Sequence, residues 1–316
     1  MSSYQKTDQT IWTGRSSKDQ LYFYEKVTCI DIEHQEIPNS QSTSFAILGY
    51  GCDEGVRRNQ GRIGAASAPN VVRSMMSSLS NHLPNEVSII DSGTIICENN
   101  DLEKTQIITS VTIHQLLKKG YFPIVIGGGH DIAYAHYNGI KTHTPTSKIG
   151  IINLDAHFDL RNIETQGNSG TPFSQIANEN DHFKYLCLGI QEASNNRTLF
   201  KTAKKHQVQF ITNNDFTLQN KEHIISVINS FISSVDHIYL TIDMDGFSST
   251  YAPGVSAPSP FGFTPDIAVP VIEHICSSGK LLSVDIAELN PIYDIDNCTT
   301  RLAARLLYHI MRVISS

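Results

Sequence analysis

No two of the six cysteines in this 316-residue chain stand at C-x-x-C spacing. Cys29, Cys52, Cys97, Cys187, Cys276 and Cys298 lie far apart, most of them in or beside apolar stretches. They read as reduced, buried thiols rather than as a disulfide framework. Lys and Arg are never blocked together, and the formal net charge is −7. A nucleic-acid binder would carry a basic stripe, so that class of partner is set aside. No apolar run approaches the ~18 residues of a membrane span. The N-terminal stretch also lacks the apolar core of a secretion signal. A cytoplasmic protein without a membrane or nucleic-acid partner is expected. No linker, low-complexity tract or repeat divides the chain. One domain over 1–316 is therefore expected, with the first forty residues an irregular lead-in.

What is present is an alternation of strand-like and helix-like segments. Apolar runs fall at Phe45–Tyr50, Val87–Ile90, Phe122–Ile126, Ile149–Leu154, Tyr185–Leu188, Val208–Ile211, His237–Ile242 and Leu281–Val284. Several are nearly continuous in apolar residues, as in parallel strands covered on both faces. Helical patterns lie near Ala66–Met76, Leu102–Lys119, Leu218–Ser233, Pro265–Ser277 and Arg301–Ile314, the second stopping at Gly120. Alternating β and α segments predict a parallel sheet, doubly wound or barrel. In either topology the chemistry belongs at the C-terminal ends of the strands.

Three motifs sit at such ends. The Phe122–Ile126 run leads into Gly127-Gly128-Gly129-His130-Asp131, the Ile149–Leu154 run into Asp155-Ala156-His157-Phe158-Asp159, and the His237–Ile242 run into Asp243-Met244-Asp245. In extended chain, residues i, i+2 and i+4 share a face. Asp155, His157 and Asp159 can therefore converge, with Asp243 and Asp245 meeting them and His130 joining from the glycine turn. Four carboxylates at one point repel one another unless cations offset them. Two divalent ions balance the four aspartates, and oxygen-rich ligation with two imidazoles suits manganese better than zinc. Two Mn2+ per subunit are expected. Such a pair makes hydroxide from a shared water near neutral pH, ready to attack a planar electrophilic carbon.

The stretches GGGHD, INLDAHFDLR and LTIDMDGF resemble the three signature regions of the arginase/agmatinase (ureohydrolase) family, from about Ala46 to the C-terminus. The resemblance implies an α/β fold, a three-layer α/β/α sandwich around an eight-stranded, mostly parallel sheet. It implies one ion held by His130, Asp155, Asp159 and Asp243, and a second by His157, Asp155, Asp243 and Asp245. It also implies that Glu288 holds the amidine or guanidine group. Asp159 or Asp131 would shuttle a proton, Asp131 having the plainer alternative of orienting His130.

Departures from arginase speak to the substrate. Arg161 stands where arginase has Asn, the stretch beginning at Ser169 lacks arginase's catalytic His, and Ser194 stands near an acidic position of the loop Gly189–Asn195. Arg binds a carboxylate through two parallel hydrogen bonds, so an anionic amidine amino acid is expected. The segments Asp53–Arg62, Tyr251–Pro258 and Trp12–Arg15 resemble the family branch that cleaves N-formimidoyl-L-glutamate to L-glutamate and formamide, by attack of the metal-bridging hydroxide on the formimidoyl carbon. Substrate contacts are expected from Arg161, Ser169, Gln191, Ser194, Asn195, Asn59 and Arg62. Arg57 and Arg58 either join them or pin a loop. The resemblance also implies a homo-oligomer. Competing readings are an agmatinase or guanidinobutyrase releasing urea, a zinc-type deacetylase, and a non-catalytic metal-binding homologue.

Overall fold

The computed structural model describes residues 3–316. Ten strands are found: β1 (Tyr4–Gln5), β2 (Val27–Cys29), β3 (Ser44–Gly51), β4 (Ser88–Ile96), β5 (Phe122–Ile126), β6 (Ile149–Leu154), β7 (Lys184–Ile190), β8 (Gln209–Thr212), β9 (His237–Asp243) and β10 (Leu281–Ala287). They form one sheet in the order β1-β4-β3-β5-β10-β9-β6-β7-β8, with β2 also paired to β4. Among the pairings of these strands in the described residues, only β1–β4 is antiparallel. The eight expected strands are all present, and the sheet is open.

Nine α-helices accompany them: α1 (Glu54–Arg58), α2 (Ala68–Ser77), α3 (Leu102–Lys118), α4 (Ile132–His143), α5 (Pro172–Glu179), α6 (Arg197–Lys205), α7 (Lys221–Ser233), α8 (Pro265–Cys276) and α9 (Cys298–Ile314). The period of two along each strand sends alternate residues to opposite faces. Phe45 and Ile47 of β3 join a core built with α2, α7, α8 and α9. Ala46, Leu48 and Tyr50 join the other core, built with α3, α4, α5 and α6. This is the three-layer sandwich, and it explains why strands such as β3 and β6 are buried along their whole length.

The lead-in departs from expectation. It contributes β1 and β2 to the sheet edge and is tied down by a buried polar knot. Arg73 of α2 makes a two-pronged ion pair with Asp91 of β4, at 2.8 and 3.0 Å. Trp12 donates its indole N–H to Asp91 at 2.7 Å, and Thr7 its hydroxyl at 2.9 Å. Short polar stretches carry no hydrophobic period, so nothing local marks them as strands; a tertiary anchor does.

Candidate metal centre and active site

β5, β10, β9 and β6 are four successive neighbours at the middle of the sheet. Their C-terminal ends deliver His130, Glu288, Asp243 with Asp245, and Asp155 with His157 and Asp159 to one place. The glycines of the first turn are there for close approach. A Cβ on Gly128 would lie 1.7 Å from the carbonyl oxygen of Cys52, and one on Gly129 2.6 Å from an Asp131 carboxylate oxygen. The turn can therefore press against the residues that follow β3, and the N–H of Gly129 donates to the Cys52 carbonyl at 3.0 Å.

Two groups of ligand atoms result, one of His130, Asp155, Asp159 and Asp243, the other of Asp155, His157 and Asp245. In the first, Nδ1 of His130 faces oxygens of Asp155, Asp159 and Asp243 at 3.2, 2.9 and 3.0 Å. In the second, Nδ1 of His157 lies 3.4 Å from Asp155 and 3.3 Å from Asp245. Asp155 spans both, Oδ2 in the first and Oδ1 in the second. Asp243 was expected to bridge as well. Here its Oδ2 belongs to the first group, while Oδ1 accepts the N–H of Asp245 at 2.8 Å. Nδ1 of His130 and Oδ1 of Asp245 are buried without a hydrogen-bond partner. Orphaned polar atoms are costly; that donor set, rich in oxygen with two imidazoles, fits a pair of hard divalent cations.

The electrostatics of the side chains agree. Burial, then the neighbouring Asp245, pushes Asp243 well above the ordinary carboxylate range. Burial raises Asp245 to about 6 against the pull of His157. Burial followed by Asp243 raises Glu288. For Asp155, hydrogen bonds from His130 and His157 outweigh burial and hold it below the ordinary value. Burial works to lower His130 and His157, but the carboxylates facing them raise both well above 6.5.

Above the two groups opens a cavity of about 300 Å3, lined by Asn59, Arg62, His157, Asp159, Arg161, Ser169, Ser194, Asn195, Asp243, Asp245 and Glu288, among others. That lies at the small end of ligand sites, which run from about 300 to 1,000 Å3. One oxygen of Glu288 accepts the His130 N–H at 2.8 Å. Asp159 (φ 49°), Glu288 (φ 63°) and Gln60 (φ 62°) all line the cavity with left-handed backbone. Non-glycine residues pay for that conformation, and it gathers at functional sites.

The expected substrate contacts divide. Arg161 is exposed at the rim, and its guanidinium makes no hydrogen bond among the described residues. Ser194 also lines the wall with its side chain unbonded, while Asn59 donates to Ser169 Oγ at 3.1 Å. Arg62 reaches the cavity but spends Nε and Nη2 on the carbonyls of Ser256 and Val255, over the ring of Tyr293. Asn195 lines the cavity as well, while its amide serves Phe158 N, Ala156 O and Gln191 O, bracing the Asp155–Asp159 turn. The Gln191 side chain turns away to Ser259 and is not among the residues that line the cavity. Arg57 and Arg58 pair with Glu54, and Arg58 also with Glu103, so they pin the loop. Asp131 is buried, does not line the cavity, accepts the Tyr50 hydroxyl at 2.6 Å, and makes no hydrogen bond to the His130 ring among the described residues. Gln60, Ser256 and Ala257 were missed; the sequence marks them only by their place in the two loop segments that resemble the formimidoylglutamate branch.

A model of the arginase family matches residues 43–312. The chain belongs to the arginase family. This arginase-family chain is 42% identical over 306 residues to the formimidoylglutamase of Geobacillus thermodenitrificans, covering 95% of this chain and 94% of that protein. It is 39% identical to the formimidoylglutamase of Legionella pneumophila (strain Lens), with 98% of each covered. Among solved structures, the formimidoylglutamase of Bacillus subtilis superposes with a TM-score of 0.84 at 24% identity, over 96% of this chain and 94% of that one. The Trypanosoma cruzi formiminoglutamase with Mn2+ gives 0.77 at 23% identity, over 89% and 96%. At these identities the superpositions establish the arginase fold, as the sequence motifs implied.

Proposed function

We propose that the chain is a formimidoylglutamase that converts N-formimidoyl-L-glutamate and water to L-glutamate and formamide, using two Mn2+ ions. One observation carries the substrate: a cavity with metal-ligating carboxylates and Glu288 at its buried end has an unpaired guanidinium, Arg161, at its exposed rim. A molecule with an amidine at one end and carboxylates at the other matches both. The relatives above bear that activity in their names, at about 40% identity over nearly the whole chain.

His130, Asp155, Asp159 and Asp243 would hold one ion, and Asp155, His157 and Asp245 the other. Bound there, two divalent ions activate water and stabilise negative charge at the carbon under attack. Glu288 grips the substrate. Its Oε1 is fixed by the His130 N–H, and its other oxygen receives the amidinium NH2. Asp159 remains 14% exposed on the cavity wall and is raised by burial and then by Asp155. Its carboxylate takes the proton that the attacking water gives up and passes it to the departing glutamate nitrogen. Arg161 binds a carboxylate and fixes the reacting end over Glu288.

The same reading makes the chain one unit over 1–316 and a cytoplasmic enzyme, in keeping with six free cysteines. No helix of residues 3–316 is long and apolar enough to cross a membrane. Exposed Phe261, Ile292 and Ile295 favour assembly into a homo-oligomer. The test is to purify the chain with Mn2+ and follow formamide, urea and ammonia from N-formimidoyl-L-glutamate, arginine and agmatine in parallel. Formamide from the first alone is expected. Urea from either of the others overturns the substrate assignment.

A further inference from the structure

Beneath the metal centre runs a buried chain of polar side chains that the reaction does not touch. Thr241 and Tyr239 project from β9, Asp285 and Ser283 from β10, and His136 from α4. Asp285 is the direct cross-strand partner of Thr241, and Ser283 that of Tyr239. All five are fully buried.

The direction of each hydrogen bond can be read outward from a fixed end. The carbonyl of Pro123 only accepts, so Ser283 donates to it at 2.9 Å and must accept from Nε2 of His136, 2.5 Å away. Nδ1 of His136 meets Oδ2 of Asp285 at 2.5 Å, so one proton lies between ring and carboxyl group whichever atom carries it, and the Tyr239 hydroxyl donates to the same oxygen. That leaves Oδ1 of Asp285 to accept from Thr241 at 2.5 Å. A threonine has one hydroxyl proton. Having given it to Asp285, Thr241 Oγ1 accepts from Nε2 of His130 at 3.0 Å. In the neutral ring, the form that can ligate a metal, the single N–H is then the one on Nε2, which leaves Nδ1 bare toward Asp155, Asp159 and Asp243.

We infer that Asp285 is a positioning residue for His130. Braced by His136 and Tyr239, it orients the Thr241 hydroxyl, which in turn fixes the imidazole tautomer with its lone pair toward the metal ligands. Oriented partners of ligating histidines tune metal affinity by about 10- to 100-fold. The inference rests on the metal-centre reading above. It explains why a carboxylate and a histidine are buried outside the cavity and wired to it by one hydroxyl.

The experiment uses the full chain with Mn2+ as the probe. Thr241→Val removes the hydroxyl at constant shape, Thr241→Ser restores it, and Asp285→Asn places an amide that can donate to Thr241 instead of accepting. Mn2+ binding is followed by calorimetry and by electron paramagnetic resonance. The His130 tautomer in the chelated protein is read from 15N shifts of its ring at a pH high enough to leave the ring neutral, since the facing carboxylates raise its pKa. Native chain and Thr241→Ser should bind two ions and hold the Nε2–H form. Thr241→Val should lose about 10- to 100-fold in affinity at one ion only, with a mixed tautomer. Should Asp285→Asn not fold, the two Thr241 variants decide. Native-like binding and tautomer in folded Thr241→Val overturn the inference while leaving the metal centre intact. A native chain that binds no Mn2+ overturns both.

Discussion

Among the described residues the guanidinium of Arg161 makes no hydrogen bond, whereas Arg57, Arg58 and Arg62 are each spent on carboxylates or carbonyls. A cation left free beside a catalytic cavity is available to a ligand. Arg161→Lys keeps the charge and loses the planar fork. A charge-assisted hydrogen bond contributes about 1.5–3 kcal/mol, so kcat/KM for N-formimidoyl-L-glutamate should fall about 10- to 100-fold, at unchanged Mn2+ content. An unchanged kcat/KM removes Arg161 from the substrate. Asn195 sits in the same wall but does different work. Asn195→Ala leaves the buried N–H of Phe158 without its acceptor, which costs about 1–3 kcal/mol. A urea titration should show that loss, and kcat should drop with it because the Asp155–Asp159 turn loses its brace. Stability equal to native, with activity still reduced, would mean that Asn195 acts on the substrate and not on the turn. The clustered His and Asp side chains were legible in the sequence as motifs at strand ends, although Asp155–Asp159 converges through a turn with Asp159 at φ 49° rather than through the extended chain expected. Asn195 and Gln191 were not, because a polar residue in a loop carries no mark of which way it faces.

At the level of elements, the site exists because four adjacent strands end together. Local pattern located each of those strands, and strand adjacency did the rest. Helix α4, beginning directly after the glycine turn, went unmarked. Its Gly139 packs so closely on α3 that a Cβ there would lie 2.8 Å from Ile113 and Ser110, an interhelical fit that no single-segment pattern encodes. The edge strands were hidden for a related reason. β1 and β2 hold their places through the buried Asp91 knot, whose partners lie up to 84 residues apart. Breaking a buried ion pair from one side costs about 3–5 kcal/mol. Asp91→Ala should therefore lower the unfolding free energy by about that amount, measured by denaturant titration. Mn2+ bound per folded chain should stay native, since the knot lies on the sheet edge away from the central strands. A loss of metal equal to the loss of stability would mean that the edge and the centre are one mechanical unit.

For the whole molecule, the concentration of like charge at the centre makes stability a function of both pH and metal. In the chelated chain, Asp245 is raised to about 6 and Asp131 to about 7, each chiefly by burial. A carboxyl group whose folded pKa is raised binds its proton more tightly when folded. Its contribution is complete below the ordinary value near 4 and disappears as pH climbs through the raised one. His130 and His157 act with the same sign. The carboxylates around them raise their pKa against the effect of burial, and that stabilisation too is lost as pH passes upward through the folded values. Asp155 is held below its ordinary value and weakens the fold only in stronger acid, outside this window. Divalent ions reverse the trend. Their ligands must be deprotonated, so affinity grows with pH, and each ion adds about 2.7 kcal/mol when present at about 100 times its Kd. Thermal melts in Mn2+ and in chelator should therefore draw apart as pH rises from about 5.5 to about 8.5, with the chelated chain falling and the loaded chain holding. Parallel curves across that range would mean that the clustered carboxylates are not what the metal stabilises.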